Sequence, residues 1–200
     1  TRPALFERRQ MTDLSTRVDV APLGRHASRD LADELLKKLP QIPTALRDLV
    51  TAGAGGNPFY MEELVKMLID RGAIRTGEPW SVDAEKLRSL KVPPTLTGVL
   101  QARLDGLTPE ERRALQLASV IGLKFWDATL AHIDSQAAEQ LPSLRRRELI
   151  VLEDAQDSVG EYAFRHQILH QVTYDTLLKR DRRSAHARTA PDRRPDLRRR

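Results

Sequence analysis

Apolar side chains recur at intervals of three and four along most of this chain, and period-two alternation is confined to two short stretches. Val18-Asp19-Val20-Ala21-Pro22-Leu23 alternates and closes at Gly24, which predicts a short strand or extended edge, with Pro22 excluding a central position in a sheet. Ser28 stands where it would cap a helix carrying Leu31, Leu35, Leu36 and Leu39 and ending before Pro40. A shorter helix over Ala45 to Ala52 runs into Gly53, Gly55 and Gly56. Asn57-Pro58 then opens the strongest helical segment. The asparagine can accept from orphan amides, the proline suits the first turn, Glu62 and Glu63 oppose the positive end of the dipole, and Met61, Leu64, Val65, Leu68 and Ile69 form one face up to Gly72.

Residues 73–93 hold Gly77, Pro79, Trp80 and Pro93, a loop or short ribbon between two modules. Beyond it Leu96, Val99, Leu100, Leu104 and Leu107 predict an amphipathic helix, and Thr108-Pro109-Glu110-Glu111 starts the next as a capping box, with Leu115, Ala118 and Ile121 inward up to Gly122. Phe125 and Trp126 head a helix through Leu130 and Ile133, and Ala137 to Arg147 forms another around Leu141 and Leu144. Ile150-Val151-Leu152, a polar turn, and Tyr162 alternating with Phe164 predict a hairpin, after which Ile168, Leu169, Val172, Leu177 and Leu178 mark a last helix. Three helices followed by a hairpin is the winged-helix plan. The expected fold is therefore mainly α: a helical bundle subdomain, a winged-helix domain with a short β-hairpin, and a disordered basic tail.

The net charge of +5 changes this picture less than it first suggests. Residues 180–200 carry nine arginines against three aspartates, which leaves residues 1–179 at −1. That segment has two prolines and almost no apolar side chain, so it is expected to be disordered, and the folded part is not basic. Zero cysteines exclude disulfides and thiol chemistry, and no apolar run approaches the ~20 residues of a membrane span. No signal-peptide pattern opens the chain, and a cytoplasmic location without membrane partners is expected.

Signs of catalysis are missing from the sequence. It holds no Gly-x-Ser-x-Gly elbow, no His-Glu-x-x-His and no loop ending in Gly-Lys-Ser/Thr. Glu62 and Glu63 point about 100° apart on a helix, a poor acid/base pair. Asn57-Pro58, following glycines that allow close backbone approach, suits a polyanion or a nucleotide base; equally it reads as an ordinary helix cap. His166, heading a helix after the hairpin, can donate to a phosphate or be a satisfied, partly buried histidine. Arg145, Arg146 and Arg147 would face DNA phosphates if their helix enters a major groove, although 4% aromatic content is too sparse for base stacking.

Taken in order, several motifs resemble the signal-transduction ATPases with numerous domains (STAND), relatives of the AAA+ class. The "predicted ATPase" modules of bacterial adenylate or guanylate cyclases and of LuxR-type regulators are the most similar. The motifs are Gly56-Asn57-Pro58-Phe59-Tyr60-Met61-Glu62-Glu63-Leu64, Val92-Pro93-Pro94-Thr95-Leu96, Ala102-Arg103-Leu104-Asp105-Gly106-Leu107, Ala118-Ser119-Val120-Ile121-Gly122, and Tyr162-Ala163-Phe164-Arg165-His166 followed by Val172-Thr173-Tyr174.

The resemblance implies a remnant of an α/β nucleotide domain over residues 1–25, a helical lid over 26–75, a linker over 76–93, a winged helix over 94–179 and the tail over 180–200. It implies ATP or ADP as ligand, with Pro58 against the adenine, His166 approaching the β-phosphate in the ADP-bound closed state, Arg2 near the γ-phosphate, and Asn57 and Arg165 also among the nucleotide-binding residues. The phosphate-binding loop and the magnesium-binding strand are expected to precede Thr1, with an effector domain elsewhere in the parent. One expectation follows: the Asn57-Pro58 corner and His166 converge on a single nucleotide, and the chain alone turns over no substrate. A reading from another class is a transcription regulator that binds DNA through Arg145, Arg146 and Arg147.

Overall fold

A computed structural model describes residues 19–156 and 159–189; Arg2, Val18 and the end of the basic tail lie outside them. The first described helix, α1 (Arg25–Leu35), begins four residues earlier than expected, with Gly24 as its cap. Ser28 lies inside the helix and is buried, its hydroxyl 3.5 Å from the Leu23 carbonyl. Residues 19–23 pair with no strand among the described residues. Pro22 has no N–H to donate, and the Leu23 N–H is taken by the Gly56 carbonyl at 2.8 Å, which fastens the segment to the glycine turn instead.

Helices α2 (Thr44–Ala52) and α3 (Pro58–Asp70) complete the first bundle. α3 ends as its sequence requires. Gly72 takes φ 69°, Ala73 donates to the Leu68 carbonyl and Gly72 to that of Ile69, so the last carbonyls are satisfied. Leu36, Leu46, Val50, Met61, Leu64 and Leu68 build a core with α3 at its centre.

The linker is more ordered than a loop. β1 (Ile74–Arg75) pairs antiparallel with β2 (Ser81–Val82), and a six-residue helix, α4 (Ala84–Ser89), follows under an Asp83 cap that accepts from the Lys86 N–H. α5 (Leu96–Asp105) starts at a Thr95 cap and serves both modules, placing Val99 in the first core and Leu100 and Leu104 in the second. α6 (Pro109–Ile121) carries the expected capping box, with Thr108 N donating to Glu111 Oε2 at 3.0 Å and Glu111 N to Thr108 Oγ1 at 3.2 Å.

Phe125 and Trp126, expected at a helix start, belong to β3 (Lys124–Trp126), and α7 (Asp127–Ile133) begins only after them. Strand pairing overrides the helical spacing here: Phe125 lies opposite Tyr162, with their rings 5.9 Å apart, and 6.1 Å from the Phe164 ring. The single helix expected over 137–147 is two, α8 (Ser135–Ala138) and α9 (Leu141–Arg146), because Pro142 has no amide to continue a helical ladder.

β4 (Ile150–Gln156) and β5 (Val159–Phe164) form the hairpin, and β5 is the central strand of the sheet β3-β5-β4. Helix, strand, three further helical segments and a hairpin make a winged-helix arrangement, closed by α10 (Gln167–Asp175). The described part of the basic tail is helical, contrary to expectation. α11 (Lys179–Thr189) buries Ala185 in the second core, and Arg182 lies 4.4 Å from the Tyr174 ring. Among the described residues no helix is long and apolar enough to cross a membrane.

Two neighbouring glycines test the turn ahead of α3. Both have positive φ, but a Cβ on Gly56 would fall 2.5 Å from the Leu23 carbonyl oxygen, whereas Gly55 has open space. Gly55→Ala should cost roughly 1–2 kcal/mol of stability, the left-handed penalty alone. Gly56→Ala should cost about 2–4 kcal/mol, with steric displacement added, as read from urea unfolding.

Candidate functional site

The Asn57-Pro58 corner is built as the sequence suggests. Asn57 Oδ1 accepts from the Phe59 N–H at 3.0 Å and the Tyr60 N–H at 3.4 Å, Pro58 occupies the first helical turn, and both residues are exposed. Gly55 and Gly56 bend the chain into this corner. They also line a cleft of about 510 Å³ whose walls include Leu23, Arg25, Ser28 and Arg29. Among the described residues, two arginines and no carboxylate line this space, a lining whose chemistry suits an anion.

His166 arrives from the winged helix, between β5 and α10, in extended backbone and without capping that helix. Its ring lies 4.0 Å from that of Phe59, the second residue of α3, at a tilt of 51°. Nε2 is buried and has no hydrogen-bond partner among the described residues. Burial lowers the pKa of this imidazole from the ordinary histidine value; Lys66 and Arg165 lower it further, while Glu63 and Glu62 oppose them. The lowered pKa favours the neutral form of the ring, and its Nε2 is enclosed without a hydrogen-bond partner among the described residues.

His166 thus meets α3 at Phe59, the residue that follows the Asn57-Pro58 corner. Arg165 is exposed and turned toward Glu148, its Nη2 3.7 Å from the carboxylate. Arg2 lies outside the described residues. Arg145 and Arg146 are exposed, whereas Arg147 is engaged in ion pairs with Asp70 and Glu111.

Between the two cores runs a chain of charges that sequence reasoning missed. Arg103 and Glu63 are each 1% exposed and meet at 2.5 Å. Glu63, expected to oppose the α3 dipole, instead neutralises this guanidinium. Arg103 Nε also reaches Asp70 at 3.0 Å, and Nη2 donates to the Arg147 carbonyl. Arg147 in turn pairs with Asp70 and Glu111, each at 3.2 Å.

In the other direction Lys66 joins Glu63 at 3.1 Å to Glu148 at 3.0 Å, and Glu148 reaches Arg165. Four cations and four carboxylates alternate in one connected line. Burial works against ionising Glu111, but the Ser143 hydroxyl, the Thr108 amide and Arg147 outweigh it and hold its carboxyl below the ordinary value. Glu148 is likewise held low, burial being outweighed by Lys66, Arg165 and Arg103. A signal for the chain was present: Arg103 falls on the face of α5 that carries Leu96, Val99 and Leu100, where a lone cation would need a buried partner.

Among the described residues around His166 and α3, no nucleophile–base pair is assembled. No group of three His, Asp or Glu side chains among the described residues is placed to hold a metal.

Arg103→Met should lower stability by about 3–5 kcal/mol because it leaves Glu63 buried without its guanidinium, and adding Glu63→Gln should recover part of that loss, as read from denaturant unfolding of both variants. His166 imposes a pH dependence of definite sign. Its pKa is lower folded than unfolded, so the unfolded chain binds the extra proton, and stability is full above the ordinary value of 6.5 and declines as pH falls below it. The decline between pH 7.5 and 5.5 should flatten in His166→Phe, measured from unfolding midpoints across that range. No protein-family model matches this chain, and no curated protein does either.

Proposed function

We propose that this chain is the lid and winged-helix portion of an ATP/ADP-dependent signalling switch in a multidomain regulator, such as a nucleotide cyclase with a STAND-type module. One observation carries the reading: a neutral imidazole with an unpartnered buried nitrogen rests against the first turn of α3, next to an exposed asparagine–proline corner. The cleft beside the glycine turn, with Arg25 and Arg29 on its walls, adds a cationic surface suited to phosphates.

In this reading Pro58 packs against the adenine and Asn57 holds the helix start that receives it. His166 donates from Nε2 to the β-phosphate of ADP, and Arg165 reinforces the field around it. Arg2 senses the γ-phosphate, and the magnesium and phosphate-binding loop come from a nucleotide domain outside these residues. The nucleotide works by differential affinity, since a ligand held by both α3 and His166 favours the packed arrangement over any in which they separate. The role is regulatory, and the chain's own residues perform no bond-breaking step.

Calorimetric titration of ADP into the chain, alone and joined to its upstream coding segment, tests the reading. Binding should be restored by the upstream segment and weakened about tenfold or more by His166→Ala, the loss expected for one hydrogen bond to a charged group. Undiminished binding in that variant, or a gel shift with duplex DNA abolished by Arg145→Ala with Arg146→Ala, would defeat it in favour of DNA recognition.

A further inference from the structure

Glu148 sits in a backbone conformation its side chain does not favour. At φ 55° it is the single non-glycine with positive φ among the described residues. The cause is the ending of α9: Leu149 donates to the Leu144 carbonyl at 3.1 Å and Glu148 to that of Arg145 at 2.9 Å, the bonding pattern that also ends α3, where the left-handed position is Gly72. At this position glycine is the favoured residue and glutamate is strained.

The side chain explains what the strained position carries. The Glu148 carboxylate is the link between Lys66 of α3 and Arg165, the residue adjoining His166, and it is held ionised there. Glycine would relax the turn and delete that link. The cores on either side are separate apart from α5, and what faces across the junction is largely the line of charges and the Phe59–His166 contact.

We propose that Glu148 is a positioning residue for the His166 site, the clasp by which the winged helix is held on α3 so that the imidazole stays on Phe59. Lys66 is its counterpart on α3. The consequence for nucleotide response rests on the switch reading above, whereas the placement of His166 does not.

The chain has no native cysteine, so a single pair introduced at the exposed positions Asp48→Cys and Gln136→Cys gives one spin-label distance between α2 and α8. Measured on the full chain without nucleotide, Glu148→Gly and Glu148→Gln should each add a longer-distance population absent from the parent. In each the His166 pKa, followed by histidine NMR, should rise toward its ordinary value as the ring leaves Phe59. Glu148→Gly relieves the strained turn, so α9 and the hairpin fold at least as well, and Lys66→Met tests the same link from the other side. Parent-like distances and an unchanged His166 titration in all three variants would overturn the proposal. Failure of ADP to bind would overturn the switch reading and leave these measurements standing.

Discussion

A guanidinium shielded from water keeps its charge only where carboxylates surround it, and Arg103 meets that condition with Glu63 on one side and Asp70 on the other. Its remaining nitrogen donates to the carbonyl at the end of α9, so one side chain on α5 sets where α3 and the helix preceding the hairpin can lie. The leucine-rich cores on either side supply the drive to fold, but they are largely indifferent to the angle between the modules. Charge geometry is not, because an ion pair taken from water tolerates little misplacement before its desolvation is uncompensated.

That division of labour suits a device that changes state. An apolar junction would be strongly attractive and poorly reversible, whereas a line of alternating charges is nearly balanced between desolvation and attraction, so modest differential contacts can tip it. Its two ends differ. Arg103 and Glu63 are sealed, while Glu148 and Arg165 are partly open to water, so the His166 end is the more easily loosened.

Much of the fold was legible because local signals agreed with tertiary ones. Asn57 before Pro58, Thr108 before Glu111 and the glycine at position 72 act within one helical turn, and the structure uses each as the sequence indicates. Legibility failed where a distant partner decided the outcome. Phe125 and Trp126 have helical spacing to Leu130 and Ile133, but β5 claims them as a strand. Residues 180–189 look too polar to order, yet Ala185 and the cation over Tyr174 dock them on the winged helix. At the site, the approach of His166 to Asn57-Pro58 entered as an implication of the family resemblance, while Phe59 as the meeting point depends on packing that no spacing rule encodes. Glu148 was invisible for a different reason: nothing in a run of three arginines followed by glutamate marks the residue that will take a left-handed turn.

Val99 and Leu100 are consecutive, yet each is anchored in a different core. The roughly 100° between successive side chains of a helix divides α5 lengthwise, one flank for each module. Melting either module would strip one flank and leave a ten-residue helix, too short to persist alone, half exposed. The two bodies are thereby joined in a single cooperative unit of unfolding, with α5 as their common axle.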